Sequence, residues 1–357
     1  MATWLADTLP PPAKTDPWQH ARMRLLILGG TAWLGRQLAT EALHRGHDVT
    51  CVARGTDVPP GARLIRADRD HDDALTSVAT EYWDAVVDVA RQPGHVRRAV
   101  RDLAPVADRC LFVSTGNVYA SQAEIGVDED APLLAPLDSD SYTDPDSYGP
   151  AKVACEQAIL AAFGPSRSLI ARAGLLGGPG DPTGRTSYWP WRFAHPAAEG
   201  AVLVPDAPEL PTAVLDVRDL AAWLVHCAEA GTGGVFNVAG SPLPFPEHLA
   251  AARAAAGSSA EPVLAPEPWL LAHGVNEWAG PRSLPLWLAD RSWYAMNARS
   301  TARAEAAGLV RRGLEETLRD GLVARVAAGA GLVDAEELEL LAVLRGQVPT
   351  RSAQREG

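Results

Sequence analysis

The chain has 357 residues, 47% apolar and 21% charged, an ordinary balance for one large or two modest globular domains. Its formal charge of -12 argues against broad electrostatic capture of nucleic acid or anionic membrane, which needs a basic surface. No apolar run approaches the roughly 20 residues needed to cross a bilayer, and no basic segment leads into a hydrophobic one at the N-terminus, so a cytoplasmic protein without membrane or nucleic-acid partners is expected.

Residues 1–22 carry three consecutive prolines and no apolar period, predicting a flexible arm. Residues 25–28 form an apolar run too short for a helix that breaks at Gly29-Gly30, the pattern of a buried parallel strand entering a tight turn. Leu34, Leu38, Ala42 and Leu43 then recur at helical spacing until Gly46, and residues 49–53 are apolar again. A strand, glycine turn, helix and strand within about 30 residues predict a dinucleotide-binding unit, whose turn sets backbone N–H groups and a helix N-terminus against a pyrophosphate. Gly29 permits the turn and Gly35 close helix-to-sheet packing. Ala32 stands where a middle glycine is usual, and its methyl narrows the room for a diphosphate.

Further strands are predicted over 63–68, 85–89, 110–113 and 169–171, with helices over 72–80, 96–103 and 148–162. This alternation specifies an α/β fold with a Rossmann-type, doubly wound parallel sheet. Residues 174–211 are rich in Gly, Pro and Trp and predict loop with a short helix. A helix over 217–228 and a strand over 235–238 return to the sheet, residues 242–320 read as mostly helical, and 336–344 as a last helix. The expected organisation is a dinucleotide-binding domain of residues 23–171 plus 212–240. A smaller, mainly helical C-terminal substrate lobe of residues 172–211 plus 241–345 covers the sheet edge where ligands of open α/β folds bind. Residues 346–357 read as a flexible tail. Cys51, Cys110, Cys155 and Cys227 lack metal-ligand spacing and lie among apolar residues, predicting buried thiols and no metal site. His95, His195, His226 and His273 are isolated and read as structural.

Tyr148-Gly149-Pro150-Ala151-Lys152 is the sharpest local signal. Positions i and i+4 share a helix face, and Pro150 is tolerated only in a first turn, which puts Tyr148 at the helix mouth. A free phenol has a pKa near 10; a neighbouring cation stabilises phenolate, and reaching about 7 takes roughly 4 kcal/mol. Thr115, at the end of the fifth strand, is placed to orient a substrate carbonyl beside Tyr148. Arg54 follows the second strand where an acid would hold the ribose hydroxyls of NAD. A guanidinium there grips a 2′-phosphate, so NADP(H) is favoured and NAD(H) remains admissible. Tyr188, Trp189 and Arg192, with Trp278 and Trp287, read as an aromatic substrate wall bearing one cation, and Asn117 as a further substrate contact.

The runs LGGTAWLGR, GHDVTCVARG, Ala67-Asp68-Arg69-Asp70, WDAVVDV, FVSTGNVYA, YGPAK, ARAGLLGGPGDPTGR, VLDVRDLA and GVFNVAG carry a resemblance. In this order the chain resembles an extended short-chain dehydrogenase/reductase of the NAD-dependent epimerase/dehydratase group, over about residues 23–345. It is especially similar to actinobacterial reductase-like members and to the related chloroplast stem-loop RNA-binding proteins. The resemblance implies that Gly29, Gly30, Thr31, Ala32, Trp33, Leu34 and Gly35 form the pyrophosphate turn, that Asp68 faces the adenine, and that Val89 and Ala90 border the cofactor. It implies Thr115 and Tyr148 as catalytic residues and Lys152 as the lysine that binds the nicotinamide ribose.

The implied function is NAD(P)H-dependent interconversion of a carbonyl and a hydroxyl on a small molecule, with Tyr148 as general acid/base. Gly116-Asn117 stands where the family's dehydratases carry Asp-Glu, which disfavours dehydration. An NAD-dependent sugar-nucleotide epimerase is the runner-up, weakened by the missing acid after the second strand. A non-catalytic nucleotide- or RNA-binding relative is the third reading, opposed by the intact Tyr148 and Lys152 and by the acidic charge. Family analogy also allows a homodimer through the helices flanking the sheet.

Overall fold

The structure is a computed structural model that describes residues 22–322 and 330–346. Apart from Arg22 and Gly346, the arm and tail expected at the two ends lie outside the described residues. Six strands come first in the chain: β1 (Arg24–Leu28), β2 (Asp48–Ala53), β3 (Arg63–Arg66), β4 (Ala85–Asp88), β5 (Cys110–Thr115) and β6 (Ser168–Ala173). With Gly234–Val238 they make one seven-stranded sheet in the order Gly234–Val238, β6, β5, β4, β1, β2, β3. Every pairing in it is parallel. The winding reverses beside β1, between β2 and β4, and the crevice at such a switch point is where open α/β sheets bind ligands.

Alternation along each strand sends successive side chains to opposite faces. Leu25 and Ile27 of β1 pack with Leu38, Ala39 and Ala42 of α1 (Trp33–His44) and with Leu220, Trp223 and Leu224 of the helix Val217–Ala230. Leu26 and Leu28 pack on the other face with Val96, Ala99 and Leu103 of α2 (Pro93–Leu103) and Cys155, Ile159 and Phe163 of α3 (Tyr148–Phe163). Burial on both faces explains why these strands are continuous apolar runs. All four cysteines are buried free thiols.

One expectation is corrected. Residues 72–80 are a succession of turns, not a helix. Their amides bond mainly to carbonyls three residues back, as in Thr76 to Asp73 and Val78 to Leu75, in a stretch whose Asp, Ser and Thr side chains compete with helical pairing. Residues 242–320 are helical in the main, as expected, in short helices with a few short strands among them, and Pro244 and Pro266 cap the starts of two of the helices. The strand Glu261–Pro266 pairs in parallel with Ala201–Asp206. Around this pair the helices Tyr188–Ala194, Phe245–Ala255, Glu267–Ala272 and Asp334–Leu344 build a separate apolar core that includes Trp189, Phe193, Phe245 and Trp287. Among the described residues no helix is long and apolar enough to cross a membrane.

His248 lies wholly inside that second core, beside the Phe245 ring, and neither imidazole nitrogen has a hydrogen-bond partner. Burial pushes its pKa down from 6.5 to about 4. The depressed group contributes stability that is complete above the unfolded value and is lost as pH falls toward the folded one. At about 1.36 kcal/mol per pH unit the loss reaches roughly 3 kcal/mol by pH 4. Thermal denaturation should therefore show the parent losing stability between pH 6.5 and 4 more steeply than His248→Phe. Parallel pH profiles for the two proteins would refute the assignment.

Candidate active site

The turn after β1 is built from contacts that exclude side chains. Gly29 has φ +99, and a Cβ there would lie 2.6 Å from a Val89 methyl. A Cβ on Gly35, in the first turn of α1, would lie 2.2 Å from the Gly29 carbonyl oxygen, so the helix is pressed onto the turn. Gly30 abuts Cys51, and Leu34 packs on the sheet core. Ala32 is the N-cap of α1, and no side chain caps this end, leaving first-turn amides available to an anion.

From this turn opens a cleft of about 660 Å³, lined by Gly29, Thr31 and Ala32, by Arg54 and Asp68, and by Val89 and Ala90. Its volume and its glycine cradle at the sheet's switch point fit a dinucleotide. Arg54 stands at the mouth, its side chain 72% exposed, with one guanidinium nitrogen 4.0 Å from an Asp68 carboxylate oxygen. Arg69, also in the wall, is committed elsewhere: it forms two bonds to Asp88, at 2.8 and 2.7 Å, and a third to the His95 carbonyl.

A second cleft, of about 300 Å³, is lined by Thr115, Asn117 and Tyr148 together with Trp33, Arg185 and Trp278. Two elements bring Thr115 and Tyr148 to it. Thr115 ends β5, where its hydroxyl accepts from the Asn117 amide at 3.2 Å. Tyr148 opens α3, with Pro150 in the first turn. Gly149 seats this helix on the loop after β5, because a Cβ there would lie 2.4 Å from the Asn117 carbonyl.

Lys152, one turn along α3, is buried. Its ammonium donates to the Ala90 carbonyl at 2.7 Å and the Val113 carbonyl at 2.6 Å, and lies 4.2 Å from the Phe112 ring centroid. Burial holds its pKa down at about 8. The cation facing the phenol is instead Arg91, 5.6 Å from the Tyr148 ring centroid. Burial raises the Tyr148 pKa above its ordinary value, against the pull of the Thr115 hydroxyl and the Arg91 guanidinium. The expectation that Lys152 draws this phenol down toward 7 is thus corrected: the ammonium is engaged by two carbonyls, and desolvation prevails.

Tyr188, Trp189 and Arg192 do not form the substrate wall. All three are fully buried in the second core. The Trp189 indole donates to the Pro285 carbonyl at 2.6 Å, and Arg192 is paired with Glu337 at 3.0 Å and Asp334 at 2.7 Å. Trp287 is buried as well, its indole donating to Glu267. Of the residues singled out for that wall, Trp278 lines the cleft. Sequence reasoning missed Arg91 and Arg185: each is an arginine among many, and only the spatial neighbourhood of Tyr148 distinguishes them.

The switch-point cleft and its glycine cradle define a Rossmann-type dinucleotide-binding enzyme. A family model described as the NAD dependent epimerase/dehydratase family matches residues 25–239, and the chain belongs to that family. It is 30% identical over 234 residues to a dTDP-4-dehydrorhamnose reductase of Streptomyces griseus, covering 61% of this chain and 71% of the relative. It is 26% identical over 332 residues to a 3-diazoavenalumate denitrifying reductase of a Streptomyces species, covering 84% of this chain and 99% of the relative. The crystal structure of the Bordetella bronchiseptica enzyme WbmG in complex with NAD superposes with a TM-score of 0.60 at 20% identity, covering 84% of this chain and 93% of that one. The chain is an NAD(P)-dependent oxidoreductase of the extended short-chain dehydrogenase/reductase type, with a nicotinamide cofactor.

The carbonyl clamp gives Lys152 a structural role. Lys152→Met should leave two buried carbonyls unpaired at about 1–3 kcal/mol each and lower the melting temperature in the absence of any cofactor. An unchanged melting curve would show that the clamp carries no stability.

Proposed function

We propose that the protein reduces a carbonyl on a small molecule with NADP(H) as preferred cofactor, Tyr148 acting as the proton donor and Thr115 orienting the carbonyl oxygen. The observation that carries this reading is that Arg91, which lines the dinucleotide cleft, stands over the Tyr148 phenol ring that lines the smaller one. The bound nicotinamide would supply hydride. Gly29, Thr31 and Ala32 would hold the diphosphate, and Lys152, with one N–H left after its two carbonyl bonds, a ribose hydroxyl. The raised Tyr148 pKa keeps the phenol protonated near neutral pH, the form needed to donate to an oxygen that gains charge as hydride arrives. The reductase names of the two Streptomyces relatives favour net reduction over epimerisation.

The cofactor preference rests on Arg54. The backbone leaves β2 through Ala53-Arg54-Gly55 with no acid in that segment to repel a 2′-phosphate, and the exposed guanidinium, no nearer than 4.0 Å to Asp68, could turn toward one. In fluorescence titrations Arg54→Asp should weaken NADPH about tenfold or more and NADH far less; equal losses would remove the argument.

Catalysis is tested by a carbonyl screen with NADPH. Tyr148→Phe should lose about 10² to 10⁴ in rate while binding NADPH as the parent does, and undiminished turnover would refute the role. The raised phenol pKa also fixes a sign: reduction should hold level through neutral pH and fall at alkaline pH, and oxidation of the product alcohol should rise there. Opposite trends would exclude Tyr148 as the proton carrier.

A further inference from the structure

We propose, resting on the reductase reading above, that Arg185 is the anion-binding residue of the smaller cleft, so that the substrate is a carbonyl compound carrying a carboxylate or phosphate group. Arg185 is the one charged side chain among the residues that line this cleft; its neighbours there include Trp33, Leu175, Leu176, Trp278 and Met296, which are apolar or aromatic. In a chain where Arg192, Arg218 and Arg312 each pair with carboxylates, Arg185 has no carboxylate within ion-pair distance among the described residues. Its hydrogen bond to a side chain runs from Nε to the Thr183 hydroxyl at 3.3 Å. The nearby Asp181 carboxylate is occupied by the Thr183 amide and the Thr183 and Thr186 hydroxyls, each at 2.8 Å.

The guanidinium is held in place rather than loose. Its centre lies 5.4 Å from the Trp278 ring centroid, a cation–π arrangement. Trp278 itself sits at φ +65, a left-handed conformation that costs a bulky residue free energy and recurs at ligand-binding positions. Burial lowers the Arg185 pKa below its ordinary value despite the more distant Asp181 carboxylate, and an incoming anion in direct contact would offset that desolvation. Arg185, Thr115 and Tyr148 line the same cleft of about 300 Å³, so an anion on Arg185 leaves the remainder of a compact molecule facing Thr115 and Tyr148. Arg185 is a specificity-determining residue in this proposal; hydride transfer and protonation do not pass through it.

The test is calorimetric titration of the full chain, with and without NADP⁺, using three probes: trans-cinnamate, phenyl phosphate and the uncharged trans-cinnamamide. At least one of the two anions should bind the parent, and its affinity should fall about tenfold or more in Arg185→Met while Arg185→Lys retains part of it. Cinnamamide should bind more weakly than cinnamate. Which anion binds more tightly distinguishes a carboxylate from a phosphate substrate. The proposal is overturned if neither anion binds the parent, if Arg185→Met binds as tightly as the parent, or if the amide matches the acid. Melting temperatures of the variants establish that they fold. Because binding is read without turnover, an enzyme that proves inactive with NADPH would sink the reductase reading and leave these outcomes interpretable.

Discussion

The arrangement of the site depends on one buried ammonium. Desolvating a lysine is costly unless its donors are met, and Lys152 meets two of them with the carbonyls of Ala90 and Val113. Ala90 follows β4, Val113 lies in β5, and Lys152 belongs to α3, so one cation joins three elements of different sequence origin at the carboxyl edge of the sheet. The wall of the dinucleotide cleft at Val89 and Ala90 and the strand end that presents Thr115 are thereby set relative to α3 and to Tyr148 at its mouth. The same engagement explains why the phenol is not dominated by Lys152: the ammonium is turned to backbone oxygens, and the cation over the ring comes from Arg91.

Behind this edge lies a second buried polar assembly. Ser114 donates to Glu156 at 2.5 Å, and Glu156 pairs with Arg172 at 2.8 Å. Arg172 reaches the Tyr119 hydroxyl at 3.1 Å, which donates to Asn237 at 2.6 Å. The Asn237 amide donates in turn to Glu129, whose carboxylate pairs with Arg303 at 3.1 Å. β5, α3, β6 and the strand Gly234–Val238 are thus linked to the segment that carries Glu129 and to the chain beyond residue 300. A buried ion pair of this kind is weak evidence for added stability, but removing one member leaves an uncompensated charge, so the group holds its members in register. Arg299 adds a cation over the Tyr119 ring, 4.1 Å from its centroid, with two guanidinium nitrogens unpartnered and a pKa lowered to about 10 by burial. It bonds the Gly116 carbonyl and Gln122, at the turn that follows Thr115 and carries Asn117.

How much of this was legible in the sequence follows from how local each feature is. The turn at Gly29 and Gly35 was legible because a short strand, a forced positive φ and a helix follow each other within a few residues. Tyr148 and Lys152 were legible as a pair because helical spacing puts positions four apart on one face. The strands β1, β2, β4, β5 and β6 showed as apolar runs because both their faces are covered. Residues 72–80 misled because apolar positions recur there without the backbone bonding that a helix needs. Tyr188, Trp189 and Arg192 misled for the opposite reason: aromatic rings and a cation at helical spacing describe a ligand wall and a core equally well. What decides between them is the distant pair Asp334 and Glu337, which neutralises Arg192 from another helix. Arg91 and Arg185 were illegible because their significance lies in what surrounds them in space.

The two clefts differ in what holds them, and that difference bears on how the fold divides its work. The dinucleotide cleft is framed by elements of the central sheet and by glycines whose replacement would collide with backbone or core, so its shape is rigidly prescribed. The smaller cleft takes Thr115 and Tyr148 from that same rigid frame, but Arg185 comes from the glycine- and proline-rich run after β6, and Trp278 from a short strand pair packed against the second core. A fixed chemical edge is therefore faced by walls drawn from irregular segments, where residues change with least disturbance to either core. Substrate choice is expected to reside in those walls. This is also why membership of the family carries the class of cofactor chemistry much further than it carries the identity of the substrate.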